Sequence, residues 1–230
     1  MKISFTGLNL PEGKIKYSDK NLIALEKKDN PKKVSPFFAE FIKDEFSQAD
    51  VIVIPESNIL DLLILDMEKI ESLQERVSDE AEKLFFQQCM NNLEKGIPLC
   101  DQTFSDKELE RIKTATLLSY KPVVVLNNEN IEASDIIYLA LEKASYMFFY
   151  TSGPKETHAW LVKKNSDIVT CAGKIHTDLA RGFIRGDVVS LDDYMKCHNF
   201  NDCKAKNLVR VVEKDYIVQP NEIIEIRFNV

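Results

Sequence analysis

The sequence predicts an α/β core interrupted by a helical excursion and followed by a module of short strands and turns. Three observations carry this. Val51-Ile52-Val53-Ile54 and Val123-Val124-Val125-Leu126 are unbroken apolar runs bounded by Pro55 and Pro122, the pattern of parallel strands buried on both faces. Between them, residues 58–120 place apolar side chains three or four positions apart. Beyond Gly153-Pro154 the periodicity shortens to strand length.

Taken in order, Lys2 to Thr6 alternates and ends at Gly7, and Asn9, Pro11, Glu12 and Gly13 mark a loop. Asp19 to Lys33 is lysine-rich and weakly patterned. Ser35-Pro36 reads as a helix cap with a first-turn proline, so Phe37, Phe38, Phe41, Ile42 and Phe46 are expected on an amphipathic helix leading into the Val51 strand. In residues 58–95, Leu63, Met67, Ile70, Leu73, Val77, Ala81 and Leu84 form a coiled-coil-like seam on one long helix. Ser105 and Glu108 supply a capping box for a second helix through Leu109, Ile112 and Leu117, giving an antiparallel helical hairpin over 58–120. The strand at Val123, a helix from Ser134 to Ala144 and a strand at Met147–Tyr150 complete the α/β part. Ala159–Lys163, Gly186–Ser190 and Glu222–Asn229 are further strands, with Asp192–Lys196 helical. The predicted domains are 1–57 with 121–152 as the α/β core, 58–120 as the inserted hairpin, and 153–230 as the C-terminal module.

With 230 residues, 44% hydrophobic and 29% charged, the chain has globular composition. No apolar run reaches membrane-spanning length and the first residues do not resemble a signal peptide, so a cytoplasmic protein without a membrane partner is expected. Five irregularly spaced cysteines without a C-x-x-C predict reduced thiols and no structural zinc; Cys197, His198 and Cys203 lack a fourth ligand nearby. The net charge of −7 disfavours a strongly basic nucleic-acid binder. It is unevenly spread, however: residues 147–230 carry 12 Lys/Arg and 11 Asp/Glu, against 18 and 26 in the residues before them.

Gly7-Leu8-Asn9-Leu10-Pro11-Glu12-Gly13-Lys14-Ile15 stands where a phosphate-binding loop would follow the first strand. It has five residues between its glycines instead of four, and Ile15 occupies the position of the magnesium-binding hydroxyl. None of the seven glycines has Asp three residues before it, so the Asp-x-x-Gly switch is also missing.

Ala172-Gly173-Lys174-Ile175-His176-Thr177-Asp178-Leu179-Ala180-Arg181-Gly182-Phe183-Ile184-Arg185-Gly186-Asp187-Val188, with Ala159-Trp160 before it and Asp215-Tyr216-Ile217-Val218 and Ile226-Arg227-Phe228-Asn229 after it, resembles the TGS domain of the YchF-type Obg-like ATPases. Phe38–Pro55, the helical region 58–120 and Lys121–Asn128 resemble, in the same order, the family's helix and strand, its helical insertion and its base-recognition strand. The resemblance implies a P-loop G-domain remnant with an inserted hairpin, joined to a ubiquitin-like β-grasp domain of α+β type. The departures imply loss of function. Only Gly7, Leu8 and a displaced Gly13-Lys14 remain of the phosphate loop, and Asn128 of the family's Asn-x-x-Glu, with Ile131 on its last position and Glu132 one residue late.

The expectation is therefore a non-catalytic binding module without a cofactor, associated with the ribosome or structured RNA. Lys174, Arg181 and Arg185 are the central candidates and Lys163 and Lys164 the outer phosphate contacts. The alternatives are residual binding or weak hydrolysis of ATP or GTP with magnesium through Gly13, Lys14 and Asn128, and a protein partner held by the hairpin seam. Homodimerisation through a sheet edge left open by missing strands is a further expectation. His176 with Asp178 or Cys171 forms an acid/base or nucleophilic pair only on paper; bracing of a turn by short polar side chains is the better reading. Phe183 and Ile184 are expected in the core.

Overall fold

The computed structural model describes residues 1–128 and 131–229. In chain order its elements are β1 (Lys2–Phe5), β2 (Gly13–Tyr17), α1 (Lys20–Asp29), β3 (Lys33–Ser35), β4 (Phe37–Lys43), β5 (Val51–Pro55), α2 (Ile59–Gln74), α3 (Glu80–Leu93), α4 (Asp106–Ala115), β6 (Val123–Leu126) and α5 (Ala133–Lys143). They continue with β7 (Tyr146–Thr151), β8 (Glu156–Lys163), α6 (Ile168–Ile175), α7 (Thr177–Arg181), β9 (Phe183–Ser190), α8 (Leu191–Met195), α9 (Phe200–Ala205), β10 (Arg210–Val212) and β11 (Glu222–Phe228). No helix among the described residues is long and apolar enough to cross a membrane.

The first unit comprises Met1–Ile15 and Ala39–Ala144. Its sheet has the order β2-β4-β1-β5-β6, with β4, β1, β5 and β6 parallel. As its composition predicts, β5 is buried along its whole length. The segment expected as an amphipathic helix at Phe37 is instead β4. Its spacing fits both periods, but Ala39 and Phe41 are buried while Phe38 is exposed, and Phe41 pairs with Ile3 in the parallel ladder. Pro36 lies between β3 and β4 and starts no helix.

The helical insertion holds three helices rather than a hairpin of two. The expected long helix breaks after Gln74, and Asp79 starts α3 by accepting the Ala81 amide at 3.0 Å. Because the chain turns there, the seam does not run on: Ala81 and Leu84 lie outside, and Phe85, Phe86, Cys89 and Met90 point inward. The capping box forms, with the Ser105 amide 2.7 Å from a Glu108 oxygen at the start of α4. Leu63, Ile70, Phe86 and Ile112 share one core with Ile52, Ile54 and Val123, so the seam is filled by the sheet's own side chains and is not a free face for a partner. Buried Asp66 on α2 accepts the Leu118 and Ser119 amides, each at 2.7 Å, and fastens the turn that leads to β6.

The second unit comprises Lys16–Phe38 and the chain from Ser145 onward. This revises the predicted boundary twice. Strand β7 belongs to the second sheet and not to the α/β core, and residues 16–38 join the C-terminal unit through long-range contacts that local patterning does not announce. The sheet order is β10-β9-β11-β7-β8-β3. β7 and β8 form an antiparallel hairpin, the last strand β11 lies parallel to β7 and antiparallel to β9, and β3 adds parallel to β8. Ile168, Cys171 and Ala172 of α6 pack with Met147, Phe149, Val162, Val188 and Ile224.

Helix α1 is fastened at both ends. Asp19 caps it through the Asn21 and Leu22 amides and also accepts the Tyr150 hydroxyl at 2.7 Å. Asp29 accepts the Ser152 and Tyr194 hydroxyls at 2.6 and 2.7 Å. Leu22 and Leu25 are fully buried beneath it.

Candidate functional site

The phosphate-loop position leads into an extended strand. After β1, Gly7 adopts φ +67°, and a Cβ there would lie 2.9 Å from Asn58 Oδ1. Gly13 and Lys14 then open β2 instead of a helix. A helix N-terminus supplies the converging amides and the positive dipole end that hold a phosphate. Here Lys14 is an exposed side chain on an edge strand. Asn128 follows β6, so it and Gly7 both stand at the carboxyl edge of the parallel strands, with β5 between their strands. Residues 129 and 130, within the segment expected to resemble a base-recognition loop, lie outside the described residues. The edges of this sheet are β2 and β6, and on β2 Lys14 and Lys16 would place like charges against a second copy of the same edge.

In the C-terminal unit the predicted cations are only partly brought together. Lys174 is exposed in the last turn of α6, and Arg181, in the last turn of α7, pairs with Asp178 at 2.9 Å. Arg185 stands elsewhere. The ladder pairs Arg227 with Arg185 and Phe228 with Phe183, so Ile184 is an extra residue in a β-bulge. Phe183 and Gly186 therefore both face α6, while Ile184, half exposed and not in the core as expected, and Arg185 turn outward. Arg185 meets Glu213 at 3.1 Å. Lys163 holds its ammonium 3.9 Å from the centre of the Tyr146 ring, and Lys164 follows it at the end of β8.

His176 Nδ1 lies 3.4 Å from an Asp178 carboxylate oxygen, at an exposed turn where the same carboxylate also pairs with Arg181 at 2.9 Å. His176 Nδ1 accepts the Asp178 amide at 3.1 Å, capping α7, which is the bracing role expected for this turn. Cys171 is fully buried, and burial pushes its thiol up to about 12, far from a reactive thiolate. The five cysteines are free thiols.

The cations that sequence reading passed over lie in residues 16–38. Lys20, Lys27 and Lys32 are exposed and have no ion-pair partner among the described residues. Once this segment is assigned to its unit, the charge division sharpens: the C-terminal unit carries 18 Lys/Arg and 14 Asp/Glu, a net of +4, and the first unit 12 and 23, a net of −11. The available signal was Asp19 followed by Leu22 and Leu25, a cap with a short apolar stripe. A groove of about 620 Å³ also opens in this unit beside Gly153-Pro154, lined by Lys155, Ile175, Leu179, Ile224 and Ile226.

A domain of this topology, with its crossover helix and bulged return strand, matches the family model YchF-GTPase_C, described as a protein of unknown function (DUF933), over residues 146–229. The matched segment starts one residue inside the stretch from Ser145 that the contacts assign to the unit. Ribosome-binding ATPase YchF of Mycoplasma genitalium is 26% identical over 274 aligned positions, covering 93% of this chain and 71% of that protein. The Bacillus subtilis protein of the same name is 26% identical over 237 positions, covering 74% of this chain and 65% of its own length. Obg-like ATPase 1 of Rattus norvegicus is 39% identical over 82 residues, 36% of this chain and 21% of that one. In fold, the chain matches the YchF GTPase of Schizosaccharomyces pombe with a TM-score of 0.80 at 15% identity, covering 99% of this chain and 97% of the other. The chain is a YchF-type relative. It spans about two thirds of the length of the bacterial relatives, and the Mycoplasma alignment is longer than the chain itself, so that protein carries residues this one lacks.

Proposed function

We propose that this chain is a truncated, non-catalytic YchF-type protein whose C-terminal unit, a TGS domain of β-grasp form, associates with the ribosome or structured RNA. The carrying observation is the division of charge, a net of +4 on the unit that contains the segment matching the YchF C-terminal family model, of which residues 16–38 outside that match supply +3, and −11 on the other unit. A polyanion is attracted to the first and repelled by the second. The strand order β8-β7-β11-β9-β10, with β11 central and parallel to β7, supports the β-grasp reading. Two relatives are named ribosome-binding ATPases, which supports the partner. Lys174 and Arg181 belong to the proposed contact; Arg185, on the other side of the sheet, does not share their surface.

The non-catalytic part of the proposal rests on Gly13-Lys14 opening a strand where phosphate binding needs a helix N-terminus. Magnesium-dependent nucleotide binding raises the melting temperature as the logarithm of free ligand over Kd. A titration with Mg-ATP and Mg-GTP to millimolar concentration is expected to leave the melting temperature unchanged. A saturable, magnesium-dependent rise would establish the alternative, residual nucleotide binding through Gly13, Lys14 and Asn128, and with it a role for a cofactor.

A further inference from the structure

We propose that the main polyanion contact of this chain is a lysine stripe contributed by α1 and the loop after it, Lys20, Lys27 and Lys32 with Lys155 beside them, and that it takes the phosphate backbone of structured RNA. The inference rests on the ribosome or RNA reading and moves its centre away from Lys174, Arg181 and Arg185.

The geometry comes from how residues 16–38 are fixed. Leu22 and Leu25 anchor α1 in the unit, so its outer face is set. Lys20 and Lys27 are seven residues apart, two helical turns, and stand about 10 Å from each other on that face. Asn30 ends the helix in the left-handed conformation, and the Lys32 amide bonds to the Pro154 carbonyl at 3.1 Å, which brings Lys32 next to exposed Lys155.

Charge availability separates this stripe from the other cations. Arg181 and Arg185 already have carboxylates at 2.9 and 3.1 Å. Lys33 is paired with Glu156. Lys20, Lys27, Lys32 and Lys155 have no such partner among the described residues. The acids on α1 are Glu26, exposed beside Lys27, and Asp29, which is taken up by Lys28, Ser152 and Tyr194. A phosphate therefore displaces little on reaching the stripe.

The chemistry favours RNA over an anionic membrane. A helix that lies on a bilayer inserts a broad apolar face; on α1 Leu22 and Leu25 are fully buried in the core, and the one large apolar side chain it exposes, Ile23, lies between Lys20 and Lys27 and is too little surface to insert. Ammonium groups act as point charges on phosphate and do not read base edges in the bidentate manner of arginine, so binding is expected to depend on backbone shape and salt rather than sequence.

The test is fluorescence anisotropy of a fluorescein-labelled RNA stem-loop over a KCl series, with the full chain. The variant K20Q/K27Q/K32Q is compared with wild type and with K95Q/K107Q/K113Q, which removes the same charge from exposed lysines of the first unit. Each lost phosphate contact lowers the log–log salt slope by about 0.7 to 0.9. The stripe variant is expected to bind at least about tenfold more weakly near 100 mM salt, with a slope shallower by about 2, while the control stays within about twofold. Wild-type binding that K20Q/K27Q/K32Q leaves intact overturns the stripe and leaves the RNA reading standing. Wild-type chain that binds neither this RNA nor ribosomes overturns that reading itself. Lysine-dependent binding to phosphatidylserine vesicles with none to RNA overturns the choice of partner.

Discussion

Tyr194 and Asp29 lie 165 positions apart and meet in a 2.7 Å hydrogen bond, with the Lys28 ammonium 4.1 Å from the centre of the same tyrosine ring. This contact, with Asp19 to Tyr150 at the other end of α1, makes residues 16–38 a working part of the C-terminal unit. The Asp29 carboxylate is nearly buried and satisfies Ser152, Tyr194 and Lys28 together. Replacing it with alanine leaves two hydroxyls and an ammonium without their acceptor, and Asp29→Ala is expected to cost about 3 kcal/mol. Tyr194→Phe removes one bond and is expected to cost about 1 kcal/mol. Urea unfolding followed by Trp160 fluorescence reads both.

The attachment of β3 is expected to respond to acid. Hydrogen bonds from Ser35 and then Lys33 hold the Glu156 carboxyl below its ordinary range. A carboxylate depressed in the folded state contributes stability above its unfolded pKa and loses it as pH falls through the folded value. Wild type should therefore melt above Glu156→Gln near neutrality, and the two melting curves should converge as pH drops below the usual carboxylate range. A constant gap down to about pH 3 would contradict this linkage.

The sequence made the buried strands β5 and β6, the Ser105–Glu108 cap and the C-terminal strands legible, because each is fixed by neighbours within a few residues. It misled where the decision is tertiary. Phe37 to Phe46 carries a pattern compatible with two periods, and parallel pairing with β1 chose the strand. The helical seam holds through Leu73; the helix ends at Gln74, Val77 lies in the connecting turn, and after Asp79 restarts the helix Phe85 and Phe86 take the inward positions. Among site residues, Lys174 and Arg181 were visible as a basic cluster. The bulge that turns Arg185 to the other side leaves no local trace, and neither does the 130-residue span between Asp19 and Tyr150 that carries the α1 lysines to this unit.

Gly182 fixes how the chain end closes the C-terminal unit. Its amide and carbonyl are both used, the carbonyl by the Asn229 amide at 2.9 Å, and a Cβ would lie 2.4 Å from the Asn229 carbonyl oxygen. Since the obstacle is backbone, Gly182→Ala is expected to cost about 2 kcal/mol. Amide exchange at Asn229 should accelerate in the variant, and unchanged protection there would contradict the close approach.

Ribosome co-sedimentation, with and without millimolar Mg-ATP, tests the central claim most directly. The account predicts that the chain pellets with ribosomes to the same extent in both conditions, that added salt releases it, and that K20Q/K27Q/K32Q stays in the supernatant. Pelleting that requires nucleotide, or that nucleotide abolishes, would show a working nucleotide switch and contradict a module that binds by charge alone.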